Sequence, residues 1–296
     1  MTTKDDVTVD FDHHSPAISV DPYATWTELR STCPVAWTKA HDGFWILTGF
    51  AEVHRGTCDD DAFRSAPTVG IPSYGVDGQI PLDTDAPMTQ KYRRLLQQQF
   101  SPAAATAAEP VLRKIADELV DTFIERGECD FITDFTTPLP ARFILRIVGF
   151  DEDRWAEFTA WVHDIVHNVT RDPASAINAA LALYQAIFAA IGERREQGLR
   201  GDILSQLMQS EIDGAPLDDH IITGYTMLLI FGGLDTTSSA SGTPSSGSTA
   251  SPSCAASCST GRSSCRRPSR SSCGSTPRCR RSAAPCPATS RWRAAR

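Results

Sequence analysis

One apolar stretch, residues 225–237, differs from the alternating apolar and polar positions of the rest of the chain. It reads Y-T-M-L-L-I-F-G-G-L-D-T-T, and its apolar residues are too continuous for a helix with one solvent-facing side. Glycine costs about 1 kcal/mol relative to alanine inside a helix, and a buried carboxylate is costly, yet Gly232, Gly233 and Asp235 occur here. The pattern predicts a core helix that loosens for one turn and leaves room for a ligand.

The polar end of this stretch carries candidate chemistry. Thr236 can turn its hydroxyl onto a carbonyl of the preceding turn, which bends helices and opens their hydrogen-bond ladder. Because an acid stands beside an alcohol, Asp235 and Thr236 suit a proton relay. The alternative is that Gly232 and Gly233 only allow close helix packing, with a polar helix end after them.

Periodicity predicts a mostly α fold with a small β portion near the start. Aromatic and β-branched runs at 34–38 and 43–48 surround the turn H-D-G and predict a hairpin. Asp218 or Asp219 is the expected N-cap of the core helix. Helical patterns are expected at 21–31, 50–58, 87–100, 111–124, 134–149, 151–169, 174–197 and 202–210.

Residues 66–87 have no helical period and contain many prolines and glycines. A loop of this length inside a domain is typical of a functional or disordered segment. Simple surface irregularity is the alternative, and the sequence does not separate the two.

Composition divides the chain at residue 238. From there to the end there is no Val, Ile, Leu, Met, Phe, Tyr, Asp, Glu or Lys, and ten Arg carry all the charge. Since the whole chain has 28 Lys and Arg and 36 Asp and Glu, the first 237 residues carry −18 and the tail +10. The expected organisation is a polar leader at 1–20, a globular part at 21–237 and a disordered Ser/Arg/Cys-rich tail at 238–296.

The acidic globular part argues against nucleic acid or an anionic membrane as its partner. The first residues lack the order of a secretory signal, and no apolar run approaches the ~20 residues of a membrane span. With only Cys33, Cys58 and Cys129 before residue 238, a disulfide framework is not expected. These features predict a cytoplasmic protein.

Two other functions compete at this stage. His163 and His167, in H-D-I-V-H, share one helical face as in a zinc hydrolase. However, Asp replaces the general-base Glu of H-E-x-x-H and no third ligand is recognisable, so a solvated or lid helix is the preferred interpretation. The other alternative is a non-catalytic protein whose basic tail binds nucleic acid.

Four ordered motifs point to a family. G-G-L-D-T-T resembles the oxygen-binding helix of soluble bacterial cytochrome P450 monooxygenases, and D-A-P-M-T-Q-K-Y-R-R-L-L resembles their D-P-P-E-H-T-R-Y-R-R-L-L segment. F-W-I-L-T-G-F-A-E-V and F-S-P also match in order, so the resemblance covers about residues 22–237. It places Arg93 on the position that binds a heme propionate, while Thr89 stands where the family often has His.

The resemblance implies a fold, a cofactor and a reaction. A heme-dependent enzyme would hydroxylate a small organic substrate with O2 and take electrons from a ferredoxin or flavodoxin. Asp235 and Thr236 would deliver protons to dioxygen at the heme, and Gly232 and Gly233 would leave space for it. Residues 66–87 would cover the substrate.

The second half of the family pattern is missing. The heme-thiolate loop F-x-x-G-x-x-x-C-x-G is absent, because the tail has no Phe and none of its six Cys is followed by x-Gly. The Glu-x-x-R pair of the family cannot exist in a tail without Glu. The sequence therefore predicts a distal half-site without its axial Cys, in a chain that is inactive as written.

The tail composition suggests a frameshift near residue 238. Suppose that each true codon is the third base of one encoded codon plus the first two bases of the next. The TGY codons of Cys and the TCN codons of Ser then become codons for apolar residues, and one permitted reading of residues 268–277 is V-E-E-L-V-R-V-H-A, which contains Glu-x-x-R. A real disordered Ser/Arg tail is the alternative, and it does not explain this motif.

Overall fold

A computed structural model describes residues 4–72, 78–242 and 291–293. The helices are α1 (Pro16–Val20), α2 (Pro22–Thr32), α3 (Phe50–Cys58), α4 (Met88–Leu95), α5 (Pro102–Asp121), α6 (Pro138–Val148), α7 (Trp155–His167), α8 (Pro173–Gln197), α9 (Ile203–Gln209) and α10 (Asp219–Gly242). The strands are β1 (Val35–Thr38), β2 (Phe44–Leu47), β3 (Glu128–Asp130), β4 (Glu211–Ile212), β5 (Ala215–Pro216) and β6 (Arg291–Arg293). The predicted mostly α class with a small β portion is confirmed.

The predicted hairpin is present as β1 and β2, which pair antiparallel from Val35 opposite Leu47 to Thr38 opposite Phe44. Its turn contains Gly43 at φ +89°, where a Cβ would lie 2.3 Å from the Trp37 ring. Glycine is therefore required there both for its backbone freedom and for its lack of a side chain.

Aspartate side chains begin several helices, as the sequence suggested. Asp21 accepts the backbone N–H groups of Tyr23 and Ala24 at the start of α2. Asp218 accepts the N–H of Ile221 at 2.8 Å, so it is the N-cap of α10. Asp219 instead binds the Arg195 guanidinium through both of its carboxylate oxygens.

The hydrophobic core lies among α6, α7, α8 and α10, with α9 at its edge. In α10 every side chain from Ile222 to Met227 is buried, including two threonines, which confirms a helix that runs through the core rather than along the surface. Residues of the other helices that are fully enclosed include Leu145, Val148, Phe158, Leu183, Ile187, Leu204 and Leu207.

A buried ion pair joins α8 to the start of α9. Arg194 is 1% exposed, and its guanidinium donates to Asp202 at 2.8 Å, to the carbonyl of Gly149 at 2.6 Å and to that of Ala190 at 3.0 Å. Burial would raise the pKa of Asp202, but hydrogen bonds from Arg194 and Ser205 outweigh it and lower that pKa. The charge is thus fully compensated inside the core.

Helix α4 is shorter than predicted. It ends at Leu95 instead of continuing to Phe100, and Phe100 is 58% exposed rather than part of its apolar face. Tyr92 and Leu96 are buried as expected. The glutamines at 97–99 form a turn after the helix, and Gln99 and the Leu95 carbonyl both hydrogen-bond to Gln206.

Helix α8 corrects the expectation about membrane spans. By length and composition alone it could cross a membrane, with a mean hydropathy of 1.6 over its most apolar window. Its buried positions recur along one face that packs on α7 and α10. A core helix meets the same criterion of length and composition.

The helix that carries the apolar stretch extends past the predicted boundary. It continues to Gly242, because Ser238 and Ser241 lie within it and donate to the carbonyls of Asp235 and Thr237. Residues 291–293 form β6, antiparallel to β3. The rest of the predicted tail, at 243–290 and 294–296, lies outside the described residues.

Candidate functional site

The candidate site lies in the second half of α10. Thr236 donates its hydroxyl to the carbonyl of Gly232 at 2.6 Å, the bond expected from the sequence. The predicted one-turn loosening is not seen, since α10 is helical throughout. The Gly232 carbonyl has two lone pairs and can accept the hydroxyl without leaving the helical ladder.

The two glycines meet different surroundings. A Cβ on Gly233 would lie 2.5 Å from Cγ1 of Ile144 in α6, whereas a Cβ on Gly232 would meet nothing within 4 Å. Gly233 therefore serves close packing of α6 on α10, which is the alternative weighed for both glycines. Gly232 alone leaves open space beside the helix.

A cavity of about 400 Å³ lies beside Gly232, Asp235 and Thr236. Its other walls come from α7 and from both described parts of the 66–87 loop. Apolar side chains predominate in the lining, namely Val69 and Leu82 of the loop, Ile165 and Val166 of α7, and Leu228 and Phe231 of α10 itself. The helix segment and the loop, far apart in sequence, thus face a common space, as expected if the loop covers a substrate.

Two aspartates order the described parts of this loop. Asp83 is 7% exposed and accepts the backbone N–H groups of Val69 at 3.0 Å and Gln79 at 2.9 Å. Asp85 accepts the N–H of Ser65 at 2.7 Å. Sequence analysis missed both, although aspartates among prolines and glycines are typical of side-chain to backbone bonding in turns.

The loop also contacts α10 at a third glycine. A Cβ on Gly224 would lie 2.1 Å from the carbonyl oxygen of Gly78. Backbone meets backbone here, so only glycine fits. This contact sets the distance between the loop and α10.

The Asp235 carboxylate has a histidine partner. His167, at the end of α7, lies 2.9 Å from it through Nε2, and the side chains of His167 and Asp235 are 48% and 30% exposed. His163 is 61% exposed, with its ring centroid 5.1 Å from that of His167. This pair is not part of the one group of three potential metal ligands found in the described residues. His167 therefore orients the Asp235 carboxylate by a hydrogen bond.

Arg93 lines neither of the two cavities beside α10. It is exposed on α4 and forms no ion pair with any residue in the described ranges. Burial raises the pKa of Tyr225 in α10, and the charge of nearby Arg93 offsets this in part. Tyr225 donates to the carbonyl of Tyr92 at 3.0 Å, which joins α4 to α10.

Thr89 occupies the position where the resembling family often has His. Its hydroxyl donates to the carbonyl of Thr84 and lies 3.1 Å from the hydroxyl of that residue. Thr89 thus joins the loop to the first turn of α4. A propionate contact from this position is lost or replaced, whereas Arg93, the position that the resemblance assigns to a propionate, is exposed and forms no ion pair with a described residue.

An apolar groove of about 490 Å³ runs along the other side of α10. Gly232 and Leu228 line it as well as the first cavity, and Gly233 and Thr237 lie on its floor. Its remaining walls are apolar residues of α5 and α6 and the exposed Phe100, including Leu112, Leu139, Phe143 and Ile147. Within the described ranges this groove remains open.

These surroundings fit one side of a heme and not the other. The space beside Gly232 and the exposed Arg93 suit a distal wall and a propionate contact. A heme-thiolate site also needs an axial cysteine. The described cysteines, Cys33, Cys58 and Cys129, line neither cavity, so the described residues do not complete the site.

Comparison with known proteins gives relatives of one kind. No family model matches the chain. It is 26% identical over 250 residues to the steroid C26-monooxygenase of Mycolicibacterium smegmatis, covering 77% of this chain and 58% of the relative. It is 26% identical over 230 residues to cytochrome P450(MEG) of Priestia megaterium, covering 73% and 56%. The chain thus spans somewhat more than half the length of these relatives.

Solved structures agree on the fold. CYP109E1 from Bacillus megaterium in complex with testosterone superimposes with a TM-score of 0.65 at 23% identity, over 76% of this chain and 60% of that one. The Bacillus subtilis cytochrome P450 PksS gives a TM-score of 0.65 at 21% identity, over 77% and 59%. By sequence, this chain is a homologue of the bacterial cytochromes P450 over about three quarters of its length, and its fold is similar to theirs.

Proposed function

We propose that this chain represents the distal part of a cytochrome P450 monooxygenase that hydroxylates a small organic substrate with O2, and that the 296-residue form is inactive. The main observation in support of a distal P450 site is the cavity that Gly232, Asp235 and Thr236 line together with the 66–87 loop. Family membership supports the reaction class, because intact members carry heme. Heme supplies the oxidation chemistry when bound, and the protein supplies the pocket and the protons.

The residues of α10 suit proton supply at this cavity. The Asp235 carboxylate, 30% exposed, is in contact with both solvent and His167. One turn of helix separates Thr236 from the carbonyl that its hydroxyl binds, so this hydroxyl can turn between Gly232 and the cavity. We assign Asp235 to proton uptake from solvent and Thr236 to proton donation within the cavity.

The cavity also favours a class of substrate. Its walls are mainly aliphatic and aromatic, with the polar groups confined to the α10 end and the loop. Such a site binds an apolar molecule and orients it through few polar contacts. A ferredoxin or flavodoxin as electron donor and a cytoplasmic location are parts of the same proposal, and they rest on the family.

The inactivity follows from the missing thiolate. The three cysteines before residue 238 line neither cavity beside α10, and the tail cysteines do not occur in the family loop sequence. We attribute this to a frameshift near residue 238, since residues 268–277 can be read in another frame as a sequence that contains Glu-x-x-R. No observation in the described structure favours the zinc hydrolase, whose His167 is engaged by Asp235.

Carbon monoxide difference spectroscopy of the reduced protein tests this proposal. The 296-residue chain should give no thiolate Soret band, while a chain restored to the other frame after residue 237 should give one. Sequencing the coding DNA is the matched observation, because the alternative frame must contain Glu-x-x-R and, further on, F-x-x-G-x-x-x-C-x-G. A thiolate band from the 296-residue chain, or an alternative frame without these motifs, contradicts the proposal.

A further inference from the structure

Three histidines from two segments meet near the start of the chain. His13 and His14 precede α1, and His41 lies in the turn between β1 and β2. One ligand nitrogen from each lies within 4.8 Å of the others, and this is the one such group of three in the described ranges. The ring centroid of His14 is 4.0 Å from that of His13 and 5.2 Å from that of His41. The fold thus brings residues 27 positions apart into one cluster.

The hydrogen bonds of His13 prepare it as a ligand. Its Nε2 lies 2.7 Å from the carbonyl oxygen of Ile71, an acceptor, so Nε2 carries the proton. Its Nδ1 then bears the lone pair, and this atom is buried without a hydrogen-bond partner in the described structure. A buried, unpaired acceptor is rare in folded proteins. Metal-ligating histidines are commonly oriented by a carbonyl bound to their other nitrogen.

His41 is oriented in the corresponding way by a carboxylate. Its Nε2 lies 2.9 Å from Oδ1 of Asp12, which also accepts the backbone N–H of His14 at 2.9 Å. The hydrogen bond from the His14 N–H, followed by that from His41, lowers the pKa of Asp12. A carboxylate on one imidazole nitrogen increases the ligand strength of the other.

The turn holds His41 in an uncommon backbone conformation. Its φ is 51° and its ψ is 49°, and the next residue, Asp42, has φ 66°. Left-handed backbone is uncommon outside glycine, although His, Asn and Asp adopt it more readily than other residues. The conformation directs the imidazole at the leader, toward His13 and His14.

We propose that His13, His14 and His41 bind one divalent transition-metal ion, for which Zn²⁺ is the best match. Three imidazoles with a free fourth position are a ligand set that Zn²⁺ takes in proteins. Asp12 orients the His41 ring, and the Ile71 carbonyl lies within hydrogen-bond distance of Nε2 of both His13 and His14, at 2.7 and 3.1 Å. None of the three histidines lines the cavity beside α10, and the site does not depend on the proposed oxidation chemistry.

The metal would tie the leader and the hairpin to the loop over the cavity. Ile71 stands between Gly70 and Pro72, which both line the cavity beside Thr236. Holding the Ile71 carbonyl therefore holds this part of the cavity wall. We expect Zn²⁺ to raise the thermal stability of the chain, as any ligand of the folded state does.

Calorimetric titration of Zn²⁺ into the untagged full chain tests the site. The chain has nine cysteines, so they are first alkylated to remove thiolate binding. The expected result is one ion per chain, with affinity lowered about 10- to 100-fold in Asp12→Asn and by at least as much in His41→Asn. Asn suits position 41 because it tolerates left-handed backbone. His13→Gln should lose affinity in the same way.

Two control variants make the result specific. His54→Asn changes an exposed histidine outside the cluster, and the double variant His163→Asn/His167→Asn removes the other histidine pair. Both variants should bind Zn²⁺ with the same affinity and stoichiometry as the parent, and circular dichroism should show that every variant folds. If the 296-residue chain aggregates, the frame-restored chain carries the same histidines and replaces it. Absence of a saturable site, or equal affinity in the parent, His41→Asn and His13→Gln, overturns the proposal.

Discussion

The two adjacent glycines of α10 offer a matched test of the structure. Replacing either by alanine improves helix propensity by about 1 kcal/mol, and both changes add one methyl group. The methyl on Gly232 meets nothing within 4 Å, whereas that on Gly233 would lie 2.5, 2.8 and 2.9 Å from Cγ1, Cβ and Cδ1 of Ile144. We therefore expect Gly232→Ala to stabilise the fold and Gly233→Ala not to.

The difference between the two variants isolates the packing effect. Both variants gain the same helix propensity, so this gain cancels when their free energies of unfolding are compared. The remaining difference is the cost of overpacking at position 233, about 1–3 kcal/mol. Ile144 cannot move aside cheaply, since Cβ and Cγ1 are close to the backbone and a β-branched side chain is stiff at χ1. Relative to the parent, Gly232→Ala should gain up to about 1 kcal/mol and Gly233→Ala should lose up to about 2 kcal/mol.

Urea unfolding followed by far-UV circular dichroism measures both free energies. The double variant Gly233→Ala/Ile144→Ala provides an internal check, because it removes two of the three atoms in conflict. In that background the alanine at 233 should cost less than in the parent, which a double-mutant cycle reports as a coupling energy. Equal stability of Gly232→Ala and Gly233→Ala would refute the assignment of different roles to the two glycines.

Two further predictions concern charge and chemistry. Removing one partner of the buried pair with Asp202→Asn should lower the free energy of unfolding by about 3–5 kcal/mol near neutral pH. Because the folded-state pKa of Asp202 lies below its ordinary 3.8, the stability advantage of the parent is complete above about pH 4 and shrinks as the pH falls through that lowered pKa. Unfolding curves at several pH values measure this difference, and a difference that does not change with pH would contradict the prediction. In the frame-restored enzyme, Thr236→Ala should divert reducing equivalents to peroxide, which the peroxide yield measures, and Asp235→Asn should slow turnover, which the rate of product formation measures. If both variants keep the peroxide yield and the turnover rate of the parent, this part of α10 serves packing only.

The sequence predicted most of the fold because its signals are local. Helix periodicity, the aspartate caps and the hairpin turn each depend on neighbours a few residues away. The continuous apolar run of α10 required a core position, and Asp218 began the helix as expected. The predicted helix boundaries were wrong at the end of α4 and after Thr237. At the first, the side chain of the distant Gln206 donates to the Leu95 carbonyl, and at the second, Ser238 donates to the Asp235 carbonyl of its own helix.

The resemblance to the P450 family also came from the sequence alone, since it depends on the order and spacing of short motifs. So did the two compositions of the chain, because a Ser/Arg/Cys-rich tail whose one large apolar residue is Trp292 cannot supply a core. Neither conclusion needed coordinates. The homology found over about three quarters of the chain agrees with the first of them.

Tertiary structure alone decided how the site is arranged. Whether Gly232 or Gly233 leaves open space depends on where α6 crosses α10, and no local pattern contains that distance. His167 is the partner of Asp235 because α7 ends beside α10. The cluster of His13, His14 and His41 exists only because the hairpin turn returns to the leader. The sequence determines which groups are available, and long-range packing determines which of them meet.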